Sequence, residues 1–280
     1  MLAGEDRISF LQGQLTQDLA KLQDAMSLQA ALCNAKGRVV VTNRLLDLGE
    51  RIGMVVPAPM VDAVVGRLSM YRLRADVQFE VDNENWLALA FSDKDSLERL
   101  DEADLLPEQA QGACKRSTDI VAVNQTGTRR YVEIFGRASA LQPIDLDMAS
   151  RLNDRAWQEE RIAAGLVDIV SANSEKYTPH MLNLDLAGAI SFSKGCYTGQ
   201  EVVARTENLG SVKRRLNRYR ITDCSPKIGD PLSDLERDVG KVVNVGTDEI
   251  LAVIPVEKHE MELRLGEGTA TPLPLPYSVT

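Results

Sequence analysis

The change in the pattern of secondary-structure signals near Thr206 is the sequence feature that most constrains how this chain folds. Before it, helix-like and strand-like segments alternate. After it, short strand-like runs at 218–222, 240–245 and 249–255 are separated by Gly, Pro and Asp turns. Short strands at close spacing with turn residues between them are typical of a small barrel or sandwich. We therefore predict an α+β region followed by a small closed or sandwich-like β domain over residues 206–280.

The α+β region begins with a predicted helix and a strand pair. A helix is predicted to run through Leu22, because leucines and an isoleucine return at intervals of three or four on one face. Asp6 is placed to cap its N-terminus. Strands are predicted at 27–33 and 38–48, and Asn34-Ala-Lys-Gly37 between them has the residues that a hairpin turn needs. A helix entered through proline follows at 59–71, and later strands lie near 119–124 and 130–135. The order predicts two α+β units of similar size.

A glycine-punctuated segment after residue 188 carries the strongest candidate for chemistry. Ala189–Phe192 alternates like a strand and Gln200–Arg205 is able to open a helix or a second strand, so Cys196 falls on the connection between them. A lysine two residues before the sulfur, Lys194, favours the thiolate. The competing interpretation is a tight turn with a small, partly buried thiol, and an isolated Gly-Cys pair favours that interpretation.

Composition excludes several classes of protein. With 32 Lys and Arg against 41 Asp and Glu, the formal charge of −9 disfavours non-specific binding of nucleic acid. The four cysteines are widely spaced and form no C-x-x-C pair, which argues against a zinc site and a disulfide framework, and we predict no metal site. No apolar run approaches the roughly 20 residues that span a bilayer, and the N-terminal residues lack signal-peptide features, so we expect a soluble cytoplasmic protein.

Other catalytic patterns are weak. A Cys196–His180 nucleophilic dyad is conceivable through the fold, yet no spacing rule supports it, and a surface or core histidine is the commoner case. Trp157 lies on an amphipathic helix that Gly165 is placed to end, and a tryptophan in such a helix is more often a core residue than a ligand contact.

Several motifs together resemble the YgfZ family, which are folate-binding proteins linked to tRNA modification and to the maintenance of iron–sulfur enzymes. The most specific is Lys194-Gly-Cys-Tyr-Thr-Gly-Gln-Glu201. The other matching segments, spread over nearly the whole chain, are Leu11–Asp18, Cys33–Arg38, Trp157–Gly165, Asn183–Asp185 and Pro274–Ser278. The resemblance implies the fold of the glycine-cleavage T-protein, with two ferredoxin-like subdomains and a C-terminal β-barrel around a central tetrahydrofolate site.

The resemblance also implies domain limits and a function. A folate-binding region would cover residues 1–205, with a first subdomain of 1–49 and 130–205 and an inserted second subdomain of 50–129, followed by the barrel. The implied function is that of an accessory protein without independent turnover, which supports iron–sulfur cluster assembly or repair in client enzymes, including enzymes that modify tRNA. The implied cofactor is tetrahydrofolate or a one-carbon derivative, and contact with tRNA is expected to be indirect.

The resemblance assigns roles to particular residues. Cys196 is the implied thiol and Lys194 its activator. The implied cofactor-binding residues are Trp157, Tyr197, Gln200 and Glu201, the last three through hydrogen bonds that orient the turn around the thiol.

Two departures from the family pattern keep alternatives open. Relatives carry a second tryptophan before the first helix, and a glutamate where this chain has Ala163. A folate-dependent aminomethyltransferase is the enzymatic alternative, but the region Arg38–Asn43 lacks the aspartate on which that reaction relies. The third alternative is a protein scaffold with a vestigial folate site.

Overall fold

The computed structural model describes residues 1–82 and 84–279. The first sheet has the strand order β2-β3-β4-β1-β5 and antiparallel pairing. Its strands are β1 (Leu2–Ala3), β2 (Ser27–Cys33), β3 (Val39–Asp47), β4 (Ile52–Val55) and β5 (Gln78–Phe79). The second sheet has the order β6-β9-β8-β7. Its strands are β6 (Trp86–Phe91), β7 (Cys114–Ser117), β8 (Ile120–Thr126) and β9 (Arg130–Arg137).

The C-terminal strands close into a barrel in the order β10-β13-β12-β11-β14-β15, which confirms the predicted barrel. They are β10 (Arg214–Thr222), β11 (Pro231–Ser233), β12 (Asp238–Val245), β13 (Glu249–Pro255), β14 (Leu263–Leu265) and β15 (Gly268–Leu273). Apolar side chains that include Tyr219, Leu232 and Ile254 fill its interior. Closure removes the exposed strand edges that an open sheet of this size would leave.

Short helices connect and cover these sheets. The α-helices are α1 (Arg7–Gln12), α2 (Leu22–Ala25), α3 (Val61–Arg72), α4 (Lys94–Glu102), α5 (Ala138–Leu141), α6 (Asp154–Ala163) and α7 (Gln200–Leu209). Single turns of 3-10 helix lie at Leu19–Lys21, Ala58–Met60, Gln142–Ile144, His180–Leu182 and Val256–Lys258. Across the part of the chain that is described, none of these helices is both long and apolar enough to cross a membrane.

The predicted long first helix is wrong. Helix α1 ends at Gln12, and the chain then pairs with β2, since Leu15 bridges Leu32 and the amide of Thr16 donates to the carbonyl of Ala31. The Thr16 hydroxyl also accepts from the Ala31 amide at 2.8 Å. The leucines are buried as their spacing predicted, but tertiary pairing with a strand overrides the helical conformation.

The segment Ala189–Phe192 is not a strand, although it alternates like one. It runs beside the 15–17 segment, where the Ser191 amide donates to the Thr16 carbonyl at 3.0 Å. Helix α7 begins at Gln200, which resolves the choice between helix and strand for that stretch. Helix α6 carries Trp157, and Gly165 follows it with a φ of +69°, the left-handed conformation expected just beyond a helix end.

Strand membership differs from the domain limits expected from the sequence. Strand β4 lies in the first sheet although it falls in the range 50–129, and β9 lies in the second sheet although it falls in the range 130–205. The reason is that β4 continues a hairpin with β3, and β9 pairs with β8 along its whole length. Leu46 of the first sheet and Val121, Val123 and Phe135 of the second then form a small apolar cluster between the two sheets.

Two backbone segments, each with a glycine at the point of contact, cross where the Cys196 turn meets the β2–β3 hairpin. Gly37 at the hairpin tip has a φ of +66° and Gly199 before α7 has a φ of +85°. A Cβ added to Gly199 would lie 2.4 Å from the Asn34 carbonyl oxygen and 3.0 Å from the Gly37 Cα. Only glycine allows both the backbone conformation and this approach.

We expect Gly199→Ala to lower the free energy of unfolding by about 1–3 kcal/mol, because the substitution adds strain at a positive φ and forces the two backbones apart. Gly195→Ala is the matched control on the other side of Cys196, since a Cβ there meets nothing within 4 Å. Urea unfolding followed by circular dichroism measures both. Equal stabilities of the two variants would contradict the proposed crossing.

Candidate functional site

A cavity of about 310 Å³ lies between the first sheet, α6 and the segment that follows α6. Polar side chains that line it belong to Asn43, Arg44, Trp157, Arg161 and Asp168, and its apolar walls include Val55, Phe135 and Leu166. This volume is at the lower end of the range of small-molecule sites, about 300–1,000 Å³, and apolar walls with a few polar groups are typical of them.

The fully buried carboxylate of Glu133 on β9 positions several of the polar side chains that line this cavity. It accepts hydrogen bonds from Trp157 Nε1 at 2.9 Å, Arg161 at 2.8 Å and Gln125 at 3.1 Å, and Arg44 lies 3.3 Å away. Although burial raises its pKa, Arg161 and Arg44 bring the pKa of the Glu133 carboxyl below its ordinary value. Glu133 is therefore ionised, and it fixes the orientation of the Trp157 indole.

Arg161 extends the same network of hydrogen bonds and salt bridges toward the barrel. Its guanidinium bonds both carboxylate oxygens of Asp168, at 2.7 and 3.2 Å. The Asp168 backbone in turn exchanges two hydrogen bonds with the Asn244 side chain of β12, at 3.1 and 2.8 Å. Burial alone would lower the pKa of Arg161, but Asp168 and Glu133 raise it overall, so its charge is permanent. Salt bridges and side-chain bonds thus connect the second sheet, α6 and the barrel.

Asn43 is a buried polar residue whose environment the sequence analysis did not predict. It lies on β3, is 6% exposed, and lines the cavity. Within residues 1–82 and 84–279, neither its amide nitrogen nor its amide oxygen has a hydrogen-bond partner. Its neighbour Thr42 differs, because that hydroxyl donates to the Val167 carbonyl at 2.8 Å and accepts from the Ile169 amide at 3.2 Å. In the sequence Asn43 lies between the polar residues Thr42 and Arg44, so no local pattern marks it as unpaired.

The carboxylates near Trp157 on α6 are engaged elsewhere. Glu160 accepts from the Thr128 amide at 2.7 Å and the Thr128 hydroxyl at 2.6 Å, so it closes the β8–β9 turn. Glu159 lies 3.7 Å from Arg155 in a partly exposed pair. Ala163 is buried and carries no polar group. The carboxylates in the cavity lining are those of Asp154, at the start of α6, and Asp168, from the segment after the helix.

Lys194 stabilises the turn that carries Cys196. Its ammonium donates to the carbonyls of Gln12, Leu15 and Gln17 at 2.6–2.8 Å, and it lies 5.1 Å from the centre of the Tyr197 ring. Burial lowers the pKa of Lys194 to about 8. Lys194 thus clamps the segment after α1, whereas its activation of the Cys196 thiol remains a prediction.

The other predicted residues of this turn do not meet Trp157. Among the described residues that line the cavity, Trp157 is present but Tyr197, Gln200 and Glu201 are not. Gln200 orients the turn as predicted, because its side-chain oxygen accepts from the Tyr197 amide at 3.2 Å. Tyr197 is buried, and Glu201 points to solvent, where it pairs with Arg205 at 2.9 Å. These three residues are therefore parts of the turn in this structure, separate from the cavity.

Cys196 itself is exposed at the surface. Cys33, in contrast, is buried, and burial raises its pKa to about 12, so it is inert as a nucleophile. Phe192 beside the Cys196 turn is also exposed, by 45%. The turn thus presents a thiol and an aromatic side chain on one surface segment.

His180 is a core residue, and its recorded partner is Glu207 at 3.1 Å. His180, Asp185 and Glu207 place potential metal-ligating atoms within 4.8 Å of one another. However, Asp185 is paired with Arg215 at 2.7 Å, so a fixed cation already neutralises this carboxylate. Ion pairing explains this cluster, and the Asp185–Arg215 pair attaches the segment around Asp185 to β10.

We expect Glu133→Gln to lower the free energy of unfolding by about 3–5 kcal/mol, since it leaves the buried Arg44 guanidinium without a counter-charge and leaves Arg161 paired with Asp168 alone. The pKa of Glu133 lies below the ordinary 4.5, so its contribution is complete at neutral pH. The difference between wild type and variant therefore narrows only as acid protonates the native carboxylate. Urea unfolding at several pH values measures this difference.

Glu98→Gln, which removes an exposed pair with Lys94, is the control for Glu133→Gln and should change stability by less than about 1 kcal/mol. A Glu133→Gln variant as stable as the Glu98→Gln variant would show that the buried network is not what joins the sheets.

Comparisons with known proteins agree with the motifs around Cys196, although no family model matches the chain. The tRNA-modifying protein YgfZ of Escherichia coli O157:H7 is 28% identical over 268 residues, which cover 94% of this chain and 81% of that protein. The tRNA-modifying protein YgfZ of Photorhabdus laumondii is 29% identical over 294 residues, which cover 99% and 88%. The crystal structure of the glycine cleavage system aminomethyltransferase T from Bartonella henselae matches with a TM-score of 0.74 at 19% identity, covering 97% of this chain and 81% of that one. The T-protein-like fold is confirmed, and the chain resembles the tRNA-modifying YgfZ proteins over nearly its whole length.

Proposed function

We propose that this chain is a folate-binding accessory protein that supports iron–sulfur cluster assembly or repair in cytoplasmic client enzymes, including enzymes that modify tRNA. The observation that carries the proposal is the Trp157 indole at the cavity, held by Glu133 at 2.9 Å. An aromatic ring whose orientation is fixed by a buried hydrogen bond is a ready-made surface for a flat heterocycle.

The cavity has the chemistry that tetrahydrofolate requires. Its volume of about 310 Å³ suits the pterin ring and leaves the aminobenzoyl-glutamate portion toward the opening. Trp157 supplies a stacking surface, and the polar residues Arg161 and Asp168 also line the cavity. When bound, tetrahydrofolate or a one-carbon derivative would supply a carrier of one-carbon units. The residues of this chain would bind the ring, orient it and exclude water from it.

An aminomethyltransferase reaction is the less favoured function for this cavity. At the positions of β3 that line it, the chain has Thr42, Asn43 and Arg44, and a neutral amide or hydroxyl does not act as the general base that a carboxylate would be. Of the two aspartates in the cavity lining, Asp168 is paired with Arg161 at 2.7 Å, and Asp154 is the first residue of α6 and does not belong to β3. Binding without independent turnover is therefore the function that these side chains support best.

Folate binding is tested by titrating tetrahydrofolate into a Trp86→Phe variant, in which Trp157 is the one tryptophan left to report by fluorescence. We expect its emission to be quenched on binding, and calorimetry to give the same dissociation constant. Trp157→Ala should weaken binding about 5- to 150-fold, because stacking on an aromatic side chain contributes roughly 1–3 kcal/mol.

A wild-type protein that gives no heat and no quenching with millimolar tetrahydrofolate would refute the folate proposal and leave the scaffold alternative. Turnover in a direct assay for aminomethyl transfer would instead establish the enzymatic alternative.

The second part of the proposal concerns Cys196. Its exposed thiol and the neighbouring exposed Phe192 suit contact with a partner enzyme, and we assign to the thiol the role of engaging that partner's cluster or a sulfur species. The partner is a protein, because the net charge of −9 opposes direct docking on a polyanion such as tRNA.

This role is tested by complementation of a strain that lacks the protein. We expect Cys196→Ala to abolish rescue of iron–sulfur enzyme activity while the purified variant still binds tetrahydrofolate, because the thiol does not line the cavity. Cys224→Ala, at a partly buried cysteine in a turn of the barrel, is the matched control and should rescue fully. Full rescue by the Cys196→Ala variant would rule out the thiol role and leave folate binding intact.

A further inference from the structure

The C-terminal end of α3 exposes a run of large side chains that the core does not use. Met70 is 69% exposed, Tyr71 44% and Leu73 89%. The buried side chains of this helix are instead Val64 and Leu68, which pack in the core of the first sheet. Apolar side chains scattered singly over a surface need no explanation, but three within four consecutive residues form a patch, and such patches mark interaction sites.

The backbone of Leu73 is held in a conformation that leucine rarely adopts. Its φ of +45° and ψ of −106° lie outside the regions that suit a residue with a Cβ. Glycine is the residue that ordinarily takes a positive φ just beyond a helix end. The leucine side chain neither relieves this strain nor packs against the protein, so the stability of the fold does not explain its place at the surface. Strain of this kind points to a function.

The charges beside these side chains are positive and unpaired. Arg72 and Arg74 are exposed, and among the described residues neither guanidinium has a hydrogen bond or a salt bridge. The segment 69–75 contains no lysine and no acidic residue. Asp76 follows it, but its carboxylate accepts from the Glu5 amide at 3.3 Å, in the N-terminal segment. The helix end is thus a local positive and apolar patch on a chain whose net charge is −9.

This composition defines the chemistry of the partner. Tyrosine, methionine and arginine are enriched at the centres of protein–protein interfaces, where lysine and acidic residues are depleted. Two free guanidinium groups are complemented by carboxylates, and the side chains between them by apolar groups. A tRNA or an anionic membrane also attracts arginine, but the net charge of −9 opposes the approach of an extended anionic surface. A protein with a small acidic and apolar surface therefore fits the patch best.

Helix α3 is also attached to the hairpin that the Cys196 turn crosses. Arg67, one turn before the patch, pairs with Glu175 at 2.6 Å. The Glu175 amide in turn donates to the carbonyl of Val39 at 2.7 Å, and Val39 is the first residue of β3, directly after the hairpin tip. This short series of contacts places the patch and the exposed thiol on neighbouring parts of the molecule.

We propose that Met70, Tyr71, Leu73 and the two arginines form a docking surface for a client enzyme that presents carboxylates around apolar side chains. The inference deepens the proposed function and rests on it, because the client is the partner that the Cys196 thiol engages. Leu73 is the apolar anchor of this surface, and the two guanidinium groups orient the client by salt bridges.

The test uses the strain that lacks the protein, with iron–sulfur enzyme activity as the readout and thermal unfolding of each purified variant beside it. Leu73→Gly removes the anchor and relaxes the backbone, because glycine accepts a positive φ. We expect rescued activity to fall at least about tenfold, as for loss of an anchor residue, while the variant unfolds at the same temperature as wild type or at a higher one. A residue that served only the fold would lower both.

Leu235→Gly is the matched control. Leu235 is also exposed, by 79%, and has a φ of +80° in the turn between β11 and β12. Its neighbours in sequence are Asp234 and Glu236, so it does not belong to a positive apolar patch. This variant should keep or gain stability as Leu73→Gly does, but it should rescue fully.

The charge of the docking surface is tested by the double variant Arg72→Glu with Arg74→Glu, which should abolish rescue because it repels an acidic partner. Wild type and this charge-reversed variant are also compared for binding to total tRNA by filter retention, and to vesicles of equal parts phosphatidylcholine and phosphatidylglycerol by cosedimentation. Binding by wild type that the charge-reversed variant loses would overturn the assignment to a protein partner.

The outcomes separate the inference from the function on which it rests. If wild type rescues and both Leu73→Gly and the charge-reversed variant rescue equally well, the docking surface is overturned and the proposed function stands. If Leu73→Gly loses stability together with rescue, Leu73 serves the fold and the inference fails. If wild type itself does not rescue, both proposals fall together.

Discussion

A single buried carboxylate determines how the parts of this protein fit together. Glu133 on the second sheet is bonded to Arg44 of the first sheet and to Arg161 and Trp157 of α6, and Arg161 extends the contact to Asp168 beside the barrel. Burying an ion is favourable only when its partners are correctly placed, so this cluster tolerates few alternative arrangements of the two sheets. The cavity exists where these elements meet, and the same bonds that position the sheets also orient the Trp157 indole.

A second junction joins three segments that are far apart in sequence. Lys194 holds the segment after α1 through three carbonyl groups, and Gly199 crosses Gly37 at the tip of the β2–β3 hairpin. Each of these segments contains one of the motifs shared with YgfZ proteins. Much of what the motifs encode is therefore the construction of this junction, with the Cys196 thiol displayed on its outer side.

The parts of the fold that the sequence predicted depend on local signals. The β2–β3 hairpin follows from its Asn-Ala-Lys-Gly turn, α6 from its period and its closing glycine, and the barrel from short strands between turns. The predicted helix through Leu22 failed because Leu15 and Thr16 pair with β2, a long-range contact that leaves the spacing of leucines unchanged. Likewise, neither the burial of Glu133 nor the unpaired state of Asn43 has a local signature. Trp157 lines the cavity, and its contact with folate stays a prediction from the resemblance, whereas the contacts of Lys194 and Glu201 emerged only from three-dimensional packing.

The separation of Cys196 from the cavity bears on the order of events during function. Because the exposed thiol lies outside the described cavity lining, a partner at the turn and a small molecule at Trp157 occupy different space. Neither has to leave for the other to arrive, so simple competition does not link the two. Any influence of one on the other has to pass through the protein. The proposed folate and the proposed protein partner are therefore free to bind at the same time.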